Sequence, residues 1–240
     1  MTVRAWHRLV LWDIDYTLLD ASGATRLAFA DAFHDLFGRP LREQVLMAGR
    51  CEAAVVPDLL RRNGVRDAHL RAPDFLAALT ARADLVREHT RRHGTLMPGA
   101  DATLAAVEGQ AGIVPSVVTG NSKATAVAKL SAFDLDQRLC LASGAFGDEA
   151  MERVRLVRLA VERARRALPG ASHDWAAPLV VGDTPEDMRA ARGGGAIAVV
   201  VTTGAHDYRA LRDGGADHVL DGLLDPEPLI ELIRLGPSRA

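Results

Sequence analysis

The chain has 240 residues, a formal net charge of −2 at pH 7, 48% hydrophobic residues and 25% charged residues. This length and composition are typical of one large globular domain, or of a core domain that carries a smaller insertion. Because charges of both signs are interspersed, the sequence has no face suited to nucleic acid or to an anionic membrane. Cys51 and Cys140 are far apart, which argues against a disulfide framework or a thiolate zinc site. The first apolar run is too short and too charged for a signal peptide, so we expect a cytoplasmic protein.

Short apolar or β-branched runs predict the strands of this chain. They are Leu9–Trp12, Ile113–Val118, Arg138–Ala142, Pro178–Val181, Ala196–Val201 and His218–Leu220. Segments with helical periodicity lie between most of them, namely Ala100–Gln110, Ser122–Ala132, Arg153–Leu168, Pro185–Arg192 and Tyr208–Gly214. Strands that alternate with helices in this way predict βαβ units on a parallel sheet. The predicted fold class is therefore α/β, with a Rossmann-like, doubly wound parallel sheet.

The segment from 21 to 95 has a different pattern from the rest of the chain. It shows helical periodicity without a convincing strand, and the Pro98-Gly99 pair marks its end. We therefore predict an α-helical cap over 21–95, inserted into a core formed by 1–20 and 96–240. Long insertions of this kind are usually functional, which places the cap beside a binding site.

Two carboxylates follow the first predicted strand directly. Asp13 and Asp15 stand two places apart at the end of LVLW. Carboxylates this close raise each other's cost of ionisation unless a cation or a shared proton relieves them. The pair therefore predicts a metal site, a proton-transfer role, or both.

Polar residues also follow two other predicted strands. Thr119-Gly120-Asn121 follows Ile113–Val118, and Asp183 and Asp187 follow Pro178–Val181. In an open parallel sheet, ligands bind beyond the carboxyl ends of the strands. If these strands are neighbours, several aspartates converge at one edge, and an oxygen-rich cluster of that kind suits Mg²⁺.

The sequences DIDYT, TGN and GDTPED occur in this order, and each closes a predicted strand. Together with the helical segment after the first motif, they resemble the haloacid dehalogenase superfamily in its phosphatase branch, and are similar to phosphoglycolate phosphatases. Each motif alone is weak, but three in the right order are specific together. The resemblance implies a Mg²⁺-dependent phosphomonoesterase that acts on a small phosphorylated metabolite; the sequence predicts no oligomeric state.

The resemblance also implies roles for individual residues. Asp13 would be the nucleophile that forms an aspartyl-phosphate, and Asp15 would act first as general acid and then as general base. The residues implied in metal binding are Asp13, Asp15 through its backbone carbonyl, Asp183 and Asp187. The residues implied in binding the phosphoryl oxygens, through side chains or backbone N–H groups, are Thr119, Gly120 and Asn121.

The sequence departs from the family pattern in two places. Tyr16 stands where a glycine is usual, next to the second aspartate. The lysine that the family's third motif supplies to the phosphoryl group is missing, since no lysine follows Lys129. We favour Arg153 as its replacement because arginine binds phosphate bidentately and stays charged; Arg155 and Lys129 are the alternatives. In the cap, Arg50 is a candidate contact for an anionic substrate.

Related activities are the main alternatives to a phosphatase. Asp15 argues against haloacid dehalogenases, which lack an acidic residue at this place. A cap without lysine excludes the Schiff base of phosphonoacetaldehyde hydrolases. A sugar-phosphate mutase shares the aspartate pair and stays open. The missing motif lysine also leaves open a catalytically weakened member that acts as a binding module.

Overall fold

The computed structural model describes residues 7–167, 175–204 and 208–235. The described strands are β1 (Arg8–Trp12), β2 (Leu19–Asp20), β3 (Thr95–Leu96), β4 (Ile113–Val117), β5 (Leu179–Gly182), β6 (Ile197–Val201) and β7 (His218–Leu220). The described helices are α1 (Ala24–Phe37), α2 (Glu52–Arg62), α3 (Ala68–Thr80), α4 (Ala83–His93), α5 (Ala100–Glu108), α6 (Lys123–Ser131), α7 (Arg153–Ala167), α8 (Pro185–Gly194), α9 (Tyr208–Asp213) and α10 (Glu227–Arg234).

The large sheet has five parallel strands in the order β4-β1-β5-β6-β7. Strand β1 lies between β4 and β5, and Trp12 is paired with both Val117 and Val181. The chain segments that follow these three strands therefore leave the sheet side by side. The predicted parallel α/β fold is confirmed.

Helices α1–α4 occupy the segment from 24 to 93, inside the predicted cap. The short antiparallel pair of β2 and β3 closes this segment at its two ends. The helical content of the insertion is as predicted, while the division of the chain into a core and a cap domain stays a prediction.

The predicted strand Arg138–Ala142 is wrong. Two 3-10 turns overlap the two ends of this segment, Leu135–Arg138 and Leu141–Ser143. The Cys140 N–H donates to the Pro115 carbonyl oxygen at 2.8 Å on the outer side of β4. Because proline has no N–H to donate on that same side, β4 cannot support a full ladder there and the chain turns instead.

Two apolar clusters cover the two faces of the sheet. The cluster on one face joins cap residues such as Phe29 and Phe75 to Trp12 and Val117 of the sheet. The cluster on the other face joins the sheet to α7 and α8. Helices α1–α4 therefore share an apolar core with the sheet. In the part of the chain that the structure describes, no helix is long and apolar enough to cross a bilayer.

Candidate active site

Three aspartates converge at the carboxyl edge of the sheet. Asp13 follows β1, Asp183 follows β5, and Asp187 lies in the first turn of α8. One carboxylate oxygen from each lies within 4.8 Å of the others, and all three residues are buried. We call this cluster the acid triad. Its geometry agrees with the convergence expected from the strand ends.

The two carboxylate oxygens of Asp187 have different contacts: one caps helix α8, and the other lies in the acid triad. Its Oδ2 accepts hydrogen bonds from the Thr184 backbone N–H at 3.0 Å and the Thr184 hydroxyl at 2.6 Å, which caps helix α8. Its Oδ1 is buried without a hydrogen bond of good geometry and lies 2.6 Å from the Arg153 guanidinium. The helix cap therefore orients the second oxygen into the acid triad.

Arg153 is the cation that lies against the triad. It is the first residue of α7, and its Nη2 donates to Asp13 Oδ1 at 2.9 Å and to the Val118 carbonyl oxygen at 3.3 Å. Its side chain is buried. Arg155, the alternative two residues later, is exposed and does not line the site. Arg153 thus occupies the position favoured from the sequence.

Lys129 also lies in the site, but against a different aspartate. Its buried Nζ donates to both carboxylate oxygens of Asp15 at 2.7 Å and to Asn121 Oδ1 at 2.8 Å. The Asn121 amide in turn donates to Asp15 Oδ2 at 2.8 Å and to the Thr119 hydroxyl at 2.9 Å. The Asp15 carboxylate is therefore oriented by Lys129 and Asn121, outside the acid triad.

Two carboxyl groups of the acid triad, those of Asp13 and Asp183, have raised pKa values. Burial raises the pKa of Asp13 to about 7, although the charge of Arg153 partly opposes the rise. Burial also raises the pKa of Asp183 to about 8, and the neighbouring Asp13 and Asp187 add to this rise. Both shifts show that the site disfavours the ionised carboxylates in the absence of a further cation.

The acid triad has the properties of a Mg²⁺ site. Its ligand atoms are all carboxylate oxygens, which Mg²⁺ prefers. The backbone closes around them, since a Cβ at Gly204 would overlap the Asp183 carboxylate and one at Gly182 would overlap Asp187. Thr17 donates a long hydrogen bond of 3.4 Å to Asp183 Oδ1. The residues present therefore fit the ion that the sequence implies.

A cavity of about 650 Å³ opens above these residues. It is bounded by the carboxyl edge of the sheet and by residues of the cap, including Arg50. The Arg50 guanidinium contacts Asp58 at 3.2 Å and the carbonyl oxygens of Leu46 and Ala54 at 3.1 and 3.3 Å. Its charge is thus engaged inside the cap. The lining also includes the apolar residues Val45, Met47 and Val55 and the charged residues Asp20, Arg26 and Glu52.

Tyr16 lies at the mouth of this cavity. Its side chain is half exposed, and its backbone adopts the left-handed conformation with φ 59°. Glycine adopts this conformation without strain, which explains why a glycine is usual at this place in the motif. Tyr16 therefore has a strained backbone conformation, and its ring lies at the entrance of the cavity.

The predicted cap segment, 21–95, directly contacts residues 119–121, which we call the TGN loop. The first N–H groups of α2, those of Glu52 and Ala53, donate to the carbonyl oxygens of Gly120 and Gly147, each at 2.8 Å. A Cβ at Gly120 would overlap the Arg50 carbonyl oxygen, and one at Gly147 would overlap the Gly120 carbonyl oxygen. Glycine at both places allows the two backbones to approach this closely.

Glu52 is a cavity residue that sequence reasoning misses. It is the first residue of α2, where an acidic side chain is ordinarily explained by the helix dipole. The structure instead buries Glu52, with 3% of its surface exposed, in the wall of the cavity. No local sequence signal distinguishes these two situations, because the burial depends on how the cap packs on the TGN loop.

The arrangement of the site agrees with a family comparison. A profile described as haloacid dehalogenase-like hydrolase matches residues 10–192. The chain belongs to this family. It is therefore a hydrolase of the haloacid dehalogenase-like class, and the resemblance inferred from its three motifs is confirmed. The match begins in β1 and ends in α8, so it includes every residue of the acid triad.

Solved structures share this fold along nearly the whole chain. A hydrolase from Pseudomonas syringae has a TM-score of 0.65 and 22% identity, and the alignment covers 95% of this chain and 99% of that one. CbbY from Rhodobacter sphaeroides, solved in complex with phosphate, has a TM-score of 0.64 and 22% identity, with 91% and 96% covered. A predicted phosphatase from Clostridium acetobutylicum has a TM-score of 0.62 and 16% identity, with 95% and 98% covered. No protein of curated function matches the sequence.

Proposed function

We propose that this hydrolase is a Mg²⁺-dependent phosphomonoesterase that acts on a small phosphorylated metabolite in the cytoplasm. The observation that carries the proposal is the buried Asp13, which contacts Arg153 in the acid triad at the base of the cavity. Phosphoryl transfer needs a nucleophile, fixed positive charge and exclusion of water at one place. The similar structures include a predicted phosphatase and a protein solved in complex with phosphate, which supports the same proposal.

Asp13 is the proposed nucleophile. Because Arg153 holds Oδ1, the other oxygen of Asp13 is the one proposed to attack phosphorus. The new bond joins this oxygen to phosphorus while the bond from phosphorus to the ester oxygen breaks. Arg153, Thr119, Asn121 and the Gly120 N–H would bind the phosphoryl oxygens. The first step thus leaves an aspartyl-phosphate and a departing alkoxide that needs a proton.

Asp15 is the proposed source of that proton. In the second step it would take a proton from the water that attacks phosphorus, and the bond to Asp13 would break to release inorganic phosphate. Lys129 and Asn121 fix the direction of its carboxyl group. Mg²⁺, held by Asp13, Asp183 and the Asp15 carbonyl with support from Asp187, would neutralise charge that develops on the phosphoryl group. The cap would shield these steps from bulk water.

The test is phosphate release from a panel of small phosphate esters with Mg²⁺, with chelator, and with the variant Asp13→Asn. We expect many turnovers per enzyme only with Mg²⁺ and only with Asp13 intact. Turnover that survives Asp13→Asn would refute the nucleophile. Release of no more than one equivalent would instead indicate a binding module that accepts phosphate once.

A sugar-phosphate mutase is the second candidate. One similar fold, at 19% identity and a TM-score of 0.58, is a Thermotoga maritima protein provisionally assigned as a β-phosphoglucomutase. A mutase would return the phosphoryl group to the sugar rather than to water. Chromatography of sugar phosphates from the same reactions separates the two: isomer formation with little free phosphate would favour the mutase.

A further inference from the structure

Tyr16 places a large ring at the mouth of the cavity on a strained backbone. Its φ of 59° is a conformation that glycine adopts freely and that bulky side chains avoid. Hydrogen bonds hold this turn on both sides. The Tyr16 N–H donates to the Leu19 carbonyl oxygen at 2.8 Å, and the Thr203 hydroxyl donates to the Tyr16 carbonyl oxygen. The surrounding structure therefore maintains the strain and fixes where the ring begins.

Packing inside the protein does not offset this strain. Tyr16 keeps 49% of its surface exposed, whereas the aromatic side chains of Trp12, Phe29 and Phe75 are fully buried. An aromatic ring that stays half in water adds little hydrophobic stabilisation to the fold. Strained residues are concentrated at functional sites, where the strain positions a group. An exposed ring at the entrance of a substrate cavity is explained if a ligand covers it.

The cavity beside Tyr16 is larger and more apolar than a two-carbon phosphate ester requires. Its volume of about 650 Å³ lies within the range of pockets that bury drug-sized ligands. On the cap side it is lined by the apolar residues Val45, Leu46 and Met47, of which Leu46 is exposed. An ester whose phosphoryl group lies at Asp13 therefore has room for a large apolar organic part.

The charges around the Tyr16 ring disfavour a second anionic group on the substrate. Burial raises the pKa of the Tyr16 hydroxyl, the charges of Asp20 and Asp15 add to the rise, and the charge of Arg26 opposes it. Asp15, Asp20 and Arg26 all line the same cavity. Carboxylates thus outnumber cations near the ring, so an uncharged organic part is favoured over one that carries a carboxylate.

We infer that Tyr16 is a specificity-determining residue whose ring stacks against an aromatic ring in the organic part of the substrate. The substrate class is then the phosphate monoesters of uncharged aromatic alcohols or phenols. Aromatic groups are favoured over aliphatic groups of equal size, because paired rings gain more than their buried area alone provides. This inference rests on the proposed phosphatase function. It concerns the organic part of the ester rather than the transfer of the phosphoryl group.

Three esters of primary alcohols test the inference: benzyl phosphate, cyclohexylmethyl phosphate and ethyl phosphate. The first two have the same number of carbon atoms and similar leaving groups, but only benzyl phosphate has an aromatic ring. We expect a wild-type kcat/KM that is about fivefold or more higher for benzyl than for cyclohexylmethyl phosphate, and lowest for ethyl phosphate. Tyr16→Leu should bring the ratio of benzyl to cyclohexylmethyl phosphate to about one, whereas Tyr16→Phe should preserve it. Leu70→Ala is the control, because Leu70 is an exposed apolar residue of helix α3 outside the cavity lining.

Stability and binding separate this role from a structural one. We expect Tyr16→Gly to lose the preference for benzyl phosphate and to keep or raise the melting temperature, because glycine adopts the left-handed conformation without strain. A lower melting temperature with an equal loss of kcat/KM for all three esters would show a structural ring and overturn the inference. An unchanged ratio of benzyl to cyclohexylmethyl phosphate in Tyr16→Leu would also overturn it.

Binding measurements keep the test independent of turnover. Calorimetry of benzyl and cyclohexylmethyl phosphate with Asp13→Asn, with and without Tyr16→Leu, gives the same ratio as affinities. If the wild type hydrolyses no ester, the phosphatase proposal fails, while tighter binding of benzyl phosphate that depends on Tyr16 would still support the role of the ring. Equal affinities of the two esters, or no measurable binding of either, would overturn the inference about Tyr16.

Discussion

Two positively charged side chains, Arg153 and Lys129, contact different carboxylates of this site. Arg153 contacts Asp13 and Asp187, while Lys129 contacts both oxygens of Asp15. The guanidinium and the ammonium thus lie on different members of the aspartate pair. Since the two aspartates are proposed to act in different ways, each cation can be tested by its own effect on turnover.

Lys129→Met should lower kcat/KM by about 100-fold, in line with the usual contribution of a positioned general acid. The reason is that Asp15 and Asn121 lose the ammonium group that fixes them. Steady-state kinetics on an ester that the wild type hydrolyses measures the effect. Lys123→Met is the control, because Lys123 is exposed on the same helix. A loss of thermal stability with unchanged kcat/KM would show that Lys129 is only structural.

The raised pKa of Glu52 predicts a pH-dependent difference in stability. The folded protein binds a proton at Glu52 up to a pKa of about 7, while the unfolded chain releases it near the ordinary value of 4.5. The contribution of Glu52 to the free energy of unfolding is therefore fully present below about pH 4.5 and is lost as the pH rises through 7. Hydrogen bonds from Ser122 and the charge of Lys129 oppose this rise of the Glu52 pKa, and the charge of Asp148 adds to it.

Glu52→Gln should remove this pH dependence. Melting temperatures of both proteins at pH 5 and pH 8 provide the measurement, because contributions of the other groups cancel in the difference. We expect the variant to gain stability relative to the wild type between pH 5 and pH 8. A difference that is the same at both pH values would contradict the burial-induced shift.

At the scale of residues, sequence and structure agree best where a side chain follows a strand. Asp13 and Asp183 come together because strand order brings the ends of β1 and β5 to one edge, and the first turn of α8 adds Asp187. Lys129 and Glu52 are harder to predict, because their burial depends on packing between the cap, α6 and the TGN loop. A local pattern cannot distinguish a charge on a solvated helix face from one that another element covers.

The contact between helix α2 and the TGN loop depends on two glycines. Gly147 is packed so closely against the Gly120 carbonyl oxygen that a Cβ would overlap it. Gly147→Ala should therefore lower the free energy of unfolding by roughly 1–3 kcal/mol, the usual range for overpacking. It should also raise KM, since the TGN loop is displaced. Chemical denaturation and steady-state kinetics measure the two effects.

Gly109→Ala is the matched control for this substitution. Gly109 follows helix α5 with right-handed backbone angles of φ −69° and ψ −8°, and its added Cβ would have ordinary contacts at 3.6 Å. Alanine at such a site usually stabilises a protein by about 0.4–1 kcal/mol. If both substitutions changed the free energy of unfolding equally, the close approach of Gly147 to the Gly120 carbonyl oxygen would not limit stability.

The elements themselves follow closely from sequence periodicity. Strands β1, β4, β5, β6 and β7 and helices α5–α9 lie where apolar runs and helical patterns predict them, whereas α10 and the short strands β2 and β3 were not predicted. The segment from 138 to 142 is the one predicted strand that the structure replaces with turns. Its composition is typical of a strand, but Pro115 on the adjoining edge removes the donor that a new strand would need. Strand formation depends on a partner, which a single segment does not contain.

At the scale of the whole molecule, the cap helices and the sheet share one apolar cluster. A boundary at which the cap could unfold alone would cut through the contacts of Phe29, Phe75 and Trp12. We therefore expect a single unfolding transition in calorimetry, with equal calorimetric and van't Hoff enthalpies. Two separated transitions, or an early loss of cap helices by circular dichroism, would contradict this expectation.

The hydrogen bonds from α2 to Gly120 and Gly147 have a consequence for how this enzyme could acquire new substrates. Substitutions that shift the start of α2 would also shift the loop proposed to bind the phosphoryl group, so they would change chemistry and recognition together. Side chains at Val45, Met47 and Val55 line the cavity without making these bonds. Directed evolution toward new esters should therefore succeed most readily at these apolar positions, and a library built there would sample selectivity while preserving the reaction.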